Sequence, residues 1–177
     1  PVKQKRHFNR NVVTDFICAV LQKPWCCGCA TPAADAGSGA IVDGMLSHVH
    51  IGIADYDRAL AFYSALLAEL GLERRFADRD KGWAGWRVPG VARPLFLIGR
   101  PFDGRAADAG NGQMVALLAP DRATVDRCHA LALSLGGRDE GAPGLRPHYH
   151  ADYYGAYFRD PDGNKLCVCC HQPEPAP

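Results

Sequence analysis

The chain lacks any apolar run of about 18 residues, which excludes a membrane-spanning helix. It also lacks an excess of charge of either sign. Twenty Lys and Arg stand against nineteen Asp and Glu, a formal net charge of +1, so nothing electrostatic points to nucleic acid or to an anionic membrane as a partner. Apolar residues are not in short supply. In 177 residues, 47% are hydrophobic and 22% charged, an ordinary globular composition that argues against a disordered or fibrous chain. That length suffices for one compact domain or two small modules sharing a core. Cysteine is plentiful but badly spaced for a disulfide framework. Cys18, Cys26, Cys27 and Cys29 crowd together near one end, Cys167, Cys169 and Cys170 near the other, and Cys128 stands alone. A chain with this apolar content does not need covalent staples, so a reducing compartment, the cytoplasm, is expected.

Residues 1–44 differ from the rest. Lys3, Lys5, Arg6, Arg10 and Lys23 outnumber Asp15, Asp35 and Asp43, whereas residues 45–177 are close to neutral. The basic start and the apolar run Asn11–Leu21 resemble a targeting segment, but Asp15 interrupts the run and no initiator Met opens the chain. The small residues from Ala30 to Gly44 read as a linker. The expectation is a poorly ordered or non-native extension upstream of a start at Met45.

From Met45 the patterns sharpen. Val49, Ile51 and Ile53 alternate with His48, His50 and Gly52, which reads as a strand with both histidines on one face. Asp55 caps a helix whose stripe is Leu60, Tyr63, Leu67 and Leu70, and Gly71 stops it. Strands follow at Glu73–Ala77, Trp83–Val88 and Leu95–Ile98. The same order recurs 66 residues on. Gln113–Ala119 alternates, Asp121 caps a helix with Val125, Cys128, Leu131 and Leu135 on its stripe, and Gly136-Gly137 ends it. Strands are expected at Gly155–Arg159 and Lys165–His171, around the tight turn Asp160-Pro161-Asp162-Gly163-Asn164. The reading is an α+β domain over 45–172, made of two βαβββ modules (about 45–99 and 113–172) joined by a linker at 100–112 and followed by a tail at 173–177. Each module has a one-faced sheet, so the two share a core within the chain or pair across a homodimer.

The run His48-Val49-His50-Ile51-Gly52-Ile53-Ala54-Asp55, followed by Arg58-Ala59-Leu60-Ala61-Phe62-Tyr63, resembles the opening module of the vicinal oxygen chelate superfamily. Its members include glyoxalase I, bleomycin-resistance proteins, extradiol dioxygenases and fosfomycin-resistance thiol transferases. Tyr157-Phe158-Arg159-Asp160-Pro161-Asp162-Gly163-Asn164-Lys165-Leu166 is similar to the family's last hairpin. The resemblance covers about residues 45–172. It implies a cupped, mostly antiparallel sheet with helices outside, and a small oxygen-rich metabolite in the cup. It further implies a divalent metal held by a His on the first strand, a His on the first strand of the second module and a Glu on the last strand. His48 takes the first position, but Met114 and Cys167 stand at the other two, and Phe96 at an optional fourth. Imidazole suits Zn, Fe, Ni and Cu alike, whereas thioether and thiolate favour a soft ion such as Cu(I) or Zn, provided that Cys167 ionises. The alternative is that Met114 and Cys167 fill the cup as apolar groups and no metal is held.

Other groups bear on the same choice. Gly141–Tyr154 reads as a Gly/Pro-rich loop presenting Arg146, His148, Tyr149, His150, Tyr153 and Tyr154. Such a loop can close over a cup and supply acid/base or stacking groups. His48, His150 and Tyr154 are the candidate catalytic residues. His50, Arg146, His148, Tyr149, Tyr153, Tyr157 and Phe96 are the candidate substrate contacts, Arg146 toward a carboxylate. Asp103 and Arg105 in the linker are weaker candidates. Trp83, Trp86, Phe96 and Phe102 could line an apolar pocket, although core packing is the default for each. Cys167-Val168-Cys169-Cys170-His171 has the C-x-x-C-H spacing of covalent haem attachment, but on a strand it places Cys167 and Cys170 on opposite faces. Cys26, Cys27 and Cys29 with Cys169 and His171 would form a zinc set that no spacing fixes, and Cys128 on an apolar helix face reads as core. Three functions stand open: a metal-assisted lyase, isomerase or dioxygenase; a metal-free protein that binds or sequesters a small or drug-like molecule; and a paralogue kept for an interaction surface.

Overall fold

The computed structural model describes residues 45–174. The readings made on residues 1–44, including the cysteines at 18–29, lie outside the described residues. Strand β1 (His48–Gly52) leads into α1 (Tyr56–Glu69), then β2 (Glu73–Asp78), β3 (Trp83–Arg87) and β4 (Leu95–Gly99). The second module repeats the order with β5 (Val115–Leu118), α2 (Arg122–Ser134), β6 (Arg138–Leu145), β7 (Tyr154–Arg159) and β8 (Lys165–Cys170). The expected α+β fold of two βαβββ modules is present. No helix among the described residues is long and apolar enough to cross a membrane.

Both helices begin and end as their sequences dictate. The Asp55 carboxylate accepts from the Arg58 N–H and that of Asp121 from the Thr124 N–H, each satisfying a donor that the first turn leaves free. Gly71 and Gly136 adopt φ of 77° and 88° just past the last turns, a left-handed conformation that glycine takes without steric cost.

The strands form two four-stranded sheets, ordered β1-β4-β3-β2 and β5-β8-β7-β6. In each, one edge strand pairs in parallel (β1 with β4, β5 with β8) and the remaining pairs are antiparallel. The sheets are thus mostly antiparallel, but they are two rather than one continuous sheet. Alternation assigns each a buried and an outward face. Ile51, Trp86, Phe96 and Ile98 of the first sheet and Ala156, Phe158, Leu166 and Val168 of the second join residues of both helices in a single core. The question of pairing within or between chains is therefore answered for the core: the two modules share it inside one chain.

Polar ties cross the same seam. The Tyr63 hydroxyl donates to Asp160 Oδ2 at 2.6 Å, Asn164 Nδ2 donates to the Gly52 carbonyl at 3.0 Å, and Arg58 pairs with Asp162 at 2.5 Å. Asp160 is 3% exposed. Its other oxygen accepts the backbone N–H groups of Asp162 and Asn164, so the Asp-Pro-Asp-Gly-Asn turn both closes the β7–β8 hairpin and pins it to α1.

The sequence locates only two of the three strands that follow the second helix. Residues 138–145 form β6, so the segment read as a loop from Gly141 begins as a strand, and the true loop runs over 146–153. Its sequence, Arg-Asp-Glu-Gly-Ala-Pro-Gly-Leu, has no apolar alternation, and its register shifts on both sides of Gly141. An edge strand tolerates this, because one side needs no partner and Pro143 withholds nothing required.

Candidate functional site

The outward face of the first sheet carries His48 and His50 on β1, Leu97 and Gly99 on β4, and Gly85 and Trp83 on β3, all brought into line by the strand register. The register also explains why His50 can lie flat across the sheet. A Cβ at Gly99 would stand 2.8 Å from His50 Nε2 and 3.3 Å from Trp83 Cβ, so a residue without a side chain leaves the ring its place. A cavity of about 800 Å³ opens here, walled by His48, His50, Trp83, Leu97 and Phe102 with Lys81 and Arg100 at its margin. Its size falls in the range of small-molecule sites. Partial burial, with the neighbouring His48 adding to it, holds His50 below the ordinary histidine pKa, so the ring is neutral near pH 7 and offers one donor and one acceptor.

The second outward face is of a different kind. Cys167 and Cys169 on β8 lie opposite Tyr157 and Gly155 on β7. Above them the loop 146–153 packs His148 against Tyr149 and Tyr149 against Tyr153 with tilted rings, centroids 4.3 and 4.9 Å apart. Tyr153 reaches Cys167 Sγ at 3.6 Å and His150 Nε2 reaches His171 Nδ1 at 2.7 Å. Arg146 binds the Ala142 carbonyl and lies 5.6 Å from the Tyr157 ring centroid. The loop residues expected to cluster therefore do so, but around the second sheet rather than over His48.

Two candidates face elsewhere. Phe96 pairs with Val49 in the register and packs against the Tyr63 ring, centroids 5.3 Å apart, on the helix side of the sheet. It cannot contact a ligand beside His48, and Leu97 takes that face. Tyr154 donates to Asp126 on α2 at 2.8 Å and stands beneath the Arg122 guanidinium; it fastens a helix, and its hydroxyl is spent there. Trp86 and Cys128 are core, the latter with its thiol pushed up to about 12 by burial. Asp103 and Arg105 pair with each other at 2.6 Å in the linker. Cys167 and Cys169 share one face while Cys170 enters the core, which separates the two cysteines of the haem spacing. His171, which the sequence offers only for the haem and zinc spacings, partners His150 21 positions away; no local pattern carries such a pairing.

The metal set fits poorly. His48 lines a cavity to which neither Met114 nor Cys167 contributes. Cys167 is fully buried, and its thiol is held well above the ordinary value by hydrogen bonding with Cys169 and by burial, so it is a proton donor rather than a thiolate ligand. Among the described residues, no three His, Cys, Asp or Glu side chains are grouped to hold a metal ion.

Residues 45–168 match the Glyoxalase/Bleomycin resistance protein/Dioxygenase superfamily. The chain belongs to that superfamily. Within it, the protein is similar to a glyoxalase/bleomycin resistance protein from Albidiferax ferrireducens, with 35% identity over 72% of this chain and 99% of the other and a TM-score of 0.65. A protein described as lactoylglutathione lyase from Agrobacterium tumefaciens shows 25% identity over 72% and 93% of the two chains, with a TM-score of 0.50. A superfamily member from Sphaerobacter thermophilus shares the fold at 21% identity, covering 73% and 99%, with a TM-score of 0.52. No curated protein matches the chain. Superfamily membership accounts for the duplicated modules, and it leaves the chemistry to be argued from the residues, because one fold hosts many reactions.

Proposed function

We propose that this superfamily member binds a small molecule with a planar apolar body and an anionic oxygen group in the His48–His50 cavity, without a metal. The observation that carries this reading is the composition of that cavity. Trp83, Leu97 and Phe102 offer flat apolar surface, Lys81 and Arg100 offer positive charge, and two imidazoles supply directed hydrogen bonds. His48 and His50 orient the ligand; neither needs a metal to do so. A homodimer belongs to the same reading, because Trp83, Met114 and Leu118 leave substantial apolar surface exposed. A cytoplasmic location agrees with free thiols at Cys128, Cys167, Cys169 and Cys170.

The test is binding of small aromatic carboxylates, followed by Trp83 fluorescence, with Trp83→Phe as the control for signal origin. Affinity unchanged by chelator and reduced about five- to tenfold by His48→Ala or His50→Ala, the loss of roughly one hydrogen bond, supports the proposal. A stoichiometric metal in protein purified without chelator, lost on His48→Ala, overturns it. That result would favour metal-assisted lyase, isomerase or dioxygenase chemistry, the reading that His48 at the family's first ligand position keeps in play.

A further inference from the structure

The second outward face carries a chain of polar contacts with one direction. The Asp152 backbone N–H donates to His150 Nδ1 at 3.2 Å. That nitrogen is therefore the acceptor of the ring, and in neutral His150 the proton sits on Nε2. Nε2 lies 2.7 Å from His171 Nδ1, which must then accept, leaving the His171 proton on Nε2. That atom is 3.8 Å from Cys169 Sγ. Each link fixes the next, and the last presents an N–H to sulfur. The thiol of Cys167, two residues back on the same face, supports Cys169 from the other side, with Tyr153 and Tyr157 as the remaining titratable groups around the pair. Hydrogen bonding from Cys167, with smaller help from Tyr153 and from His171, holds the Cys169 thiol below the ordinary value, against the opposing effect of burial.

Access to this sulfur depends on one ring. In the register Cys169 lies between Leu118 on β5 and Gly155 on β7. Leu118 is largely exposed. Gly155 has no side chain, and a Cβ there would stand 2.8 Å from Tyr153 Cε1 and 3.4 Å from Cys169 Cβ. The Tyr153 ring thus occupies the space that a side chain on β7 would fill, and it rides on the loop 146–153. Cys169 is 3% exposed with the ring in place, so a reagent needs that ring to move.

We propose that Cys169 is a nucleophilic thiolate, set up by the His171–His150 relay beneath the Tyr153 ring, and that it forms covalent adducts with small α,β-unsaturated carbonyl compounds. A thiolate is a soft nucleophile suited to conjugate addition. The thiol loses its proton to solvent, and the His171 Nε2–H stays in place to donate to the thiolate that remains. The sulfur pair then forms the C–S bond at the β-carbon, and the C=C pair moves to give an enolate. The enolate takes a proton back at the α-carbon. The net change is addition of S–H across the double bond, with no oxidant and no leaving group.

The full chain is treated with methyl vinyl ketone under reducing conditions, and adducts are assigned by fragmentation of the peptide beginning at Leu166, which holds Cys167, Cys169 and Cys170. Cys169 is expected to react at least tenfold faster than its two neighbours. The pH profile of its rate is expected to inflect at least one unit below the ordinary thiol value of about 8.5. His171→Gln should raise that inflection and slow the reaction at neutral pH, and His150→Gln should do so to a smaller degree. Tyr153→Ala should speed it. Thermal melting identifies any variant that has failed to fold, and the wild-type profile alone decides the case if both histidine variants do. Equal reaction of the three cysteines, or an inflection at the ordinary thiol value in the wild-type protein, overturns the proposal. Ligand binding at the His48 cavity is read separately and does not affect this outcome.

Discussion

Replacing Tyr63 by Phe removes one oxygen atom and tests the seam between the modules. The hydroxyl sits 2.6 Å from a carboxylate oxygen of Asp160, and both residues are buried, at 0% and 3% exposure. A hydrogen bond to a charged group contributes about 1.5–3 kcal/mol. Here the replacement leaves Asp160 with its backbone donors and Asn164, so the lower half of that range is expected, about 2 kcal/mol. With a urea slope of about 2 kcal/mol/M the midpoint should fall by about 1 M. A double-mutant cycle with Asp160→Asn should return a coupling of about 1 kcal/mol or more. A pH series adds a second check. Burial, with the charge and hydrogen bond of Asp160, raises the Tyr63 phenol well above its ordinary value. The stability tied to the protonated phenol is therefore fully present below the unfolded value of about 10 and is lost as pH rises through the folded one. The gap between wild type and Tyr63→Phe should be flat from pH 6 to 9 and should close in more alkaline solution. A gap below about 0.5 kcal/mol, or one that does not narrow, would refute the reasoning.

Three further outcomes follow from the geometry. Gly99→Ala would place a methyl group 2.8 Å from His50 Nε2; the ring must turn aside, so ligand affinity should fall several-fold while the melting temperature changes little, as measured by titration and by calorimetry. His50 should titrate below the ordinary histidine value in an NMR pH series, and His48→Ala should move it only part of the way back, since burial is the larger cause; the sign is that protonation of His50 is disfavoured in the folded chain, so stability tied to it falls as pH drops through its folded pKa. Tyr154→Phe should loosen α2 by about 1 kcal/mol or less through loss of the contact to Asp126 and leave ligand binding untouched; a loss of binding would restore Tyr154 to the site.

Sequence patterns located β1 and both helices because each signal is local. Alternation placed His48 and His50 on one face, and the capping aspartates mark the helix starts. Where a face could not be read, the reason is physical. β4 is Leu-Phe-Leu-Ile-Gly, buried throughout, so no alternation distinguishes its two sides, and only pairing of Val49 with Phe96 reveals that Phe96 faces the helices. Tyr154 sits where the loop becomes a strand, and its orientation depends on pairing with Cys170. β6 has a charged, glycine- and proline-containing sequence that reads as a loop, and in the sheet it pairs with β7 alone. The relay from His150 to Cys169 joins residues on a loop and a strand end, and its direction depends on a backbone N–H that no composition reveals. The resemblance supplied the fold; the actual composition of the two outward faces came from the register.

The pleat that turns Ile51 inward and His50 outward divides the work of every strand between two independent audiences. A substitution at an outward position changes what the protein can recognise or attack, and it leaves the side chains that determine folding where they were. Duplicated modules of this design can therefore carry imidazoles on one outward face and thiols on the other over one shared core. The sulfur-bearing face of the second module is one such surface, with a chemistry of its own that the interior does not have to accommodate.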